Sequence, residues 1–141
     1  MNLIHELERV SSRAPFTGLF NKNYLQKELT QALEQRHAQS QPDSPLYLAI
    51  WDIDNFKQVN DTYGHDMGDK ILLSVAQALQ RGLAPKDGIT ARFGGDAFMI
   101  LYHHTNRSYC ENLLRAIKDD IDHQTHSSIV TSSFFTASLS L

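Results

Sequence analysis

A chain of 141 residues, 41% hydrophobic and 21% charged, is long enough for one domain with a buried core. Its net charge of -3 gives no sign of a basic nucleic-acid surface or a polybasic membrane anchor. No apolar run reaches spanning length and Met1 to Ala14 has no signal-peptide core, so direct membrane insertion by this chain is not expected. The single cysteine, Cys110, cannot form an internal disulfide, which fits a reducing cytoplasmic location.

In chain order, Met1 to Arg13 is a short amphipathic segment with Leu3, Leu7 and Val10 at helical spacing. It reads either as a frayed turn or as a helical linker arriving from an upstream module. Ala14 to Leu19 is a Pro- and Gly-punctuated turn, and Asn21 is a suitable N-cap for a helix running to about His37. Its apolar face is Leu25, Leu29, Ala32 and Leu33. Gln39 to Pro45 is a loop. Leu46 to Trp51 alternates with period two and is apolar on both faces, which predicts a central strand buried on both sides.

That strand ends on Asp52-Ile53-Asp54, and Asn55 to Asp69 reads as a polar loop. Lys70 to Arg81 is the next helix, with Ile71, Leu72, Val75, Ala76 and Leu79 as its buried stripe and Gly82 as its stop. Asp66 and Asp69 lie near its start, where carboxylates suit the helix dipole. Ile89 to Phe93, Gly94-Gly95 and Asp96 to His103 predict a hairpin whose two turn glycines take positive φ. Arg107 to His123 predicts a helix entered through a Ser108/Glu111 capping box. Ser127 to Leu141 reads as a strand or hairpin. The mixture of hairpin and crossover connections predicts an α+β fold, a ferredoxin-like mixed β-sheet with helices packed against it.

Two carboxylates at the exit of a buried strand are costly unless something cationic meets them. A calcium loop opening at Asp52 is excluded, because its fifth, sixth and twelfth positions hold Phe56, Lys57 and Tyr63. A phosphorylation-receiver domain also carries an acidic pair at a strand end, but the strand before Gly94-Gly95 offers neither the further Asp nor the later Lys it needs. His103 and His104 are adjacent on a strand and point to opposite faces, so they cannot chelate one ion together. Taken singly, Asp52 and Asp54 read as turn caps, Asn60-Asp61 as turn residues, and Asp69 as a helix-dipole carboxylate.

Taken together, DIDNFKQVNDTYGHDMGD at 52–69 and RFGGDAF at 92–98, with the entry turn Phe16 to Lys22, resemble the GGDEF domain of diguanylate cyclases over about residues 14–141. The resemblance implies a nucleotide-cyclase-like fold that binds one GTP. Two such domains face each other across a two-fold axis and convert two GTP to cyclic di-GMP and pyrophosphate with Mg²⁺ or Mn²⁺. It implies metal binding by the carboxylates of Asp52 and Asp96 and the carbonyl of Ile53, and guanine recognition by Asn60 and Asp69. Phe56 and Lys57 are implied near the phosphates and Gly95 near the nucleotide. An upstream sensor domain is implied as a companion.

Three departures shape the expected activity. Ala97 stands where the signature has its second acidic residue, a position implicated in metal binding or in activating the attacking hydroxyl. The family's last helix, with its phosphate-holding Lys and Arg, lies beyond Leu141, so the domain reads as truncated. Pro85 and Gly88 stand where the inhibitory product site has Arg and Asp. The expectation is a diguanylate cyclase domain impaired in turnover; the alternative is an inactive GTP-binding or regulatory module.

Overall fold

The computed structural model describes residues 12–39 and 44–137. The expected linker over residues 1–13 lies outside these except for Ser12 and Arg13. Those two form a turn and an isolated bridge to Phe20, not a helix.

The elements are β1 (Phe20–Asn21), α1 (Lys22–Ala38), β2 (Leu46–Ile53), α2 (Phe56–Tyr63), α3 (His65–Gly82), β3 (Gly88–Arg92), β4 (Ala97–Tyr102), α4 (Arg107–Thr125) and β5 (Val130–Ala137). They build one five-stranded sheet in the order β1-β3-β4-β2-β5. Only the two-residue β1 runs parallel to its neighbour; the other pairings are antiparallel. Without β1, the β2-α3-β3-β4-α4-β5 sequence is the ferredoxin-like arrangement expected from the connections. Of the segment expected over Ser127 to Leu141, Val130–Ala137 is one strand, paired with β2 from Leu46↔Ala137 to Ile53↔Val130, and residues 138–141 lie outside the described residues.

Strand β2 is buried on both sides because its alternate residues belong to two different cores. Tyr47, Ala49, Trp51 and Ile53 join Phe98, Ile100, Val75, Leu79, Ile117 and Ile121 beneath α3 and α4. Leu46 and Leu48 join Leu101, Ala91, Leu25 and Leu29 beneath α1. Asn21 caps α1 as expected, its side chain accepting from Tyr24 N–H at 2.9 Å.

Four local expectations are corrected. The polar stretch 55–69 is not a loop: α2 and the first turns of α3 occupy it. Its polarity reflects exposure, since α2 has no buried residue, and Asn55 in the left-handed region (φ 54°) turns the chain into the helix. Gly82 is the last helical residue and is not in the left-handed conformation; it is needed because the Ile117 side chain occupies the space of its Cβ. The N-cap of α4 is Asn106, accepting from Tyr109 N–H at 3.1 Å, while Glu111 pairs instead with Arg107 at 2.8 Å. The hairpin tip spans Phe93 to Asp96 and neither glycine has positive φ. A Phe93 N–H to Ala97 carbonyl bond of 2.8 Å closes this longer tip.

At the opposite end of the sheet, Asp87 is only 5% exposed and accepts hydrogen bonds from two connections and a helix. Its partners are His104 Nε2 at 2.8 Å, the Tyr109 hydroxyl at 2.9 Å and the Ala84 N–H at 3.2 Å. The His104 bond, aided by those from Tyr109 and Ala84 and opposed by burial, holds the Asp87 carboxyl below its ordinary value. Nearby Cys110 is buried, and burial pushes its thiol up to about 11.

Candidate active site

The end of β2 and the β3–β4 hairpin meet at one point. Asp52 lies directly opposite Ala97 in the ladder, and Ile53 N–H donates to the Asp96 carbonyl at 3.1 Å. The Ile53/Asp96 bond makes Asp52/Ala97 a non-hydrogen-bonded pair, whose side chains share one face and approach most closely. Asp52, Ile53, Asp96 and position 97 are therefore brought together by the register itself. Asp52 is exposed, and Asp96 and Ala97 are half-buried.

Asp54 is engaged on the β5 side of β2. Its N–H donates to the Ile129 carbonyl at 2.7 Å, and the Thr131 hydroxyl donates to its Oδ1 at 2.7 Å. The chain then turns at Asn55 and enters α2, so Phe56 and Lys57 lie in the first turn of a helix starting three residues after β2 ends. Phe56 packs on the core beneath α3 and α4, whereas Lys57 is exposed. Asn55 makes no side-chain cap, so the first N–H groups of α2 are open to another acceptor.

Asn60 of α2 meets Gly68, the residue before Asp69 in α3. The Asn60 side-chain amide lies where a Cβ on Gly68 would be, so a larger residue there would displace it. Asp69, the next residue, is exposed beside that contact. His65 is the first residue of α3 and exposed. Among the described residues no three His, Cys, Asp or Glu side chains cluster as a metal site. The Asp52 and Asp96 carboxylates with the Ile53 carbonyl would offer oxygen donors only, the chemistry that suits a hard cation retaining several waters.

The chain matches the family model described as "Diguanylate cyclase, GGDEF domain" over residues 12–140. It is a GGDEF domain. Among its relatives, the probable diguanylate cyclase DgcT of Escherichia coli is 33% identical over 118 residues, 84% of this chain and 25% of that protein. The cyclic di-GMP phosphodiesterase PdeR of the same organism is 40% identical over 101 residues, 72% of this chain and 14% of that protein. The chain thus spans a quarter or less of the length of these relatives. Among solved structures, the coiled coil and GGDEF domain of DgcB from Caulobacter crescentus in complex with c-di-GMP has a TM-score of 0.82 at 26% identity. The match covers 95% of this chain and 73% of that one. Diguanylate cyclase SiaD of Pseudomonas aeruginosa, in complex with its activator SiaC, has a TM-score of 0.77 at 31% identity, covering 95% and 52%.

Three residues of this GGDEF domain's site escape a reading of the motif alone. Thr131 restrains Asp54 from 77 residues away in sequence. Gly68 looks like turn punctuation but lies inside α3, against the Asn60 side chain. Arg92 reaches forward from β3 to the hairpin tip, donating to Gly94 and Gly95. No helix among the described residues is long and apolar enough to cross a membrane.

Proposed function

We propose that this GGDEF domain binds GTP with a divalent cation, Mg²⁺ or Mn²⁺, at the β2 end, and that Ala97 suppresses its conversion to cyclic di-GMP. The observation that carries this is the placement of Asp52 opposite Ala97 with Ile53 bonded to Asp96. It fits a metal held by the Asp52 and Asp96 carboxylates and the Ile53 carbonyl. When bound, such a cation neutralises phosphate charge and orients the phosphates for displacement. Asn60, whose side chain meets Gly68, and Asp69, the residue after it, have side chains that suit the donors and acceptors of a guanine edge. The first turn of α2, with Lys57, suits the phosphate chain. Gly95 leaves the hairpin face open to the nucleotide.

In the reaction implied by the family, a 3′-hydroxyl attacks the α-phosphate of the GTP held by a second domain across a two-fold axis. A P–O bond forms, pyrophosphate leaves and the hydroxyl proton is lost. A carboxylate at position 97 would stand on the face of Asp52, ready to aid metal binding or proton removal; the Ala97 methyl group does neither. Loss of such a group costs on the order of a hundredfold to ten-thousandfold in rate. A second reading, a regulatory GTP-binding module beside another domain, is favoured by the same Ala97 and by the 40% identity to PdeR. An upstream sensor would fit either reading.

Calorimetry with GTP and Mg²⁺ tests binding, and pyrophosphate release tests turnover. Asp52→Ala and Asp96→Ala should each abolish metal-dependent affinity, and Ala97→Glu should release pyrophosphate faster than the chain itself. Affinity indifferent to both alanine variants would refute the metal assignment. Turnover by the unaltered chain at a rate matching Ala97→Glu would refute the role of Ala97.

A further inference from the structure

Arg92 is the last residue of β3, and its side chain extends beyond its own strand. Its Nε donates to the Gly94 carbonyl at 3.1 Å and its Nη2 to the Gly95 carbonyl at 2.7 Å. One guanidinium thus holds two consecutive peptide groups of the hairpin tip, using the rigid fork that a lysine lacks. A trans peptide is planar, with its C=O and the following N–H directed oppositely. No cis peptide occurs among the described residues. Drawing both carbonyls toward Arg92 therefore turns the N–H groups of Gly95 and Asp96 to the other side.

That side is suited to a ligand. Among the described residues neither N–H has a backbone acceptor, while the Asp96 carbonyl is tied to Ile53. A Cβ built on Gly94 or Gly95 meets nothing within 4 Å, so the tip is open. Two successive amides facing one way form an anion-binding concavity.

We infer that Arg92 is a positioning residue that clamps the tip from behind, so that the Gly95 and Asp96 N–H pair receives phosphoryl oxygens of the nucleotide. The ligand half rests on GTP binding at the β2 end; the positioning half does not. Amide spectra of the ¹⁵N-labelled protein, Arg92→Ala and Arg92→Lys separate the two. Arg92→Ala should move and broaden the amides of Gly94, Gly95 and Asp96 while Ala49 and Ile100, inside the sheet, stay in place. Titration should show affinity for GTP with Mg²⁺ lowered by about tenfold and that for guanosine unchanged. Added guanidinium ion should partly restore Arg92→Ala, and Arg92→Lys should remain impaired. Unmoved 94–96 amides would overturn the positioning role. Equal losses for GTP and guanosine would overturn the phosphate cradle. If the unaltered protein binds no GTP, the nucleotide assignment and the cradle both fail, and the free-protein spectra still decide the clamp. Should Arg92→Ala lose the Ala49 and Ile100 signals by unfolding, the same comparison is made with Arg92→Lys.

Discussion

Replacing Ala97 by Glu sets a second carboxylate beside Asp52 on the same face of the β2–β4 ladder. Directly opposite side chains in such a pair lie about 5 Å apart. Two unit charges at that separation repel by roughly 0.8 kcal/mol at the dielectric of water and roughly 3 kcal/mol at an effective dielectric of 20. Asp52 is exposed, which places the cost near the lower value, at about 1 kcal/mol. For a chain of this size that lowers Tm by roughly 3–5 °C. A divalent cation between the carboxylates reverses the sign. At a concentration tenfold above its Kd it stabilises by about 1.4 kcal/mol. Thermal unfolding at low ionic strength, with chelator and then with Mg²⁺, reads both effects; low salt is needed because an exposed pair is screened. Ala97→Glu should melt below the unaltered chain in chelator and gain more from Mg²⁺. Equal melting in chelator, together with equal Mg²⁺ gains, would refute the assigned register and the shared face.

Gly68→Ala should displace the Asn60 side chain, lowering affinity for GTP by at least about tenfold at a stability cost of roughly 1–3 kcal/mol, measured by calorimetry and thermal melting. Asp87→Asn should destabilise the fold at neutral pH, because three donors converge on a buried carboxylate. The Asp87 carboxyl is held below its ordinary value, so its stabilisation is fully present above the unfolded-state value near 3.9 and is lost as pH falls through the lower folded value. The gap in Tm between the two proteins should therefore persist down to about pH 4 and close below it.

What the sequence made legible followed periodicity and short-range chemistry. The alternation in Leu46 to Trp51 placed β2 and predicted its burial on both faces, and Asn21 marked the entrance to α1. The spacing of Asp52, Asn60, Asp69 and Asp96 pointed to the family before any contact was known. Helix α2 was hidden because it is only eight residues long, mostly polar and buries no residue fully, so Phe56 and Val59 alone hinted at a packed face; Asn55 and the Asn60–Gly68 contact define it, and both are tertiary facts. The cap of α4 was misassigned because Asn106 and Ser108, two residues apart, are both good N-caps, and only geometry separates them. The hairpin tip was expected to be shorter because Gly-Gly favours a two-residue turn, whereas the Arg92 bonds accompany a wider one. The Asp87 network joins two connections and a helix, so no local window contains it.

Burial of Cys110 has a practical consequence for following the hairpin in motion. At pH 7.5 a thiol with a value near 11 is ionised in about one molecule in three thousand, against about one in ten for a free cysteine. Since Cys110 is the chain's single cysteine, a cysteine introduced at an exposed position such as Gln58 would react with a maleimide dye or spin label far ahead of it. The native background needs no cysteine removal, which spares the core beneath α4 a cavity. Probe pairs across α2 and the hairpin can thus report the distance between these two elements in the otherwise unaltered molecule.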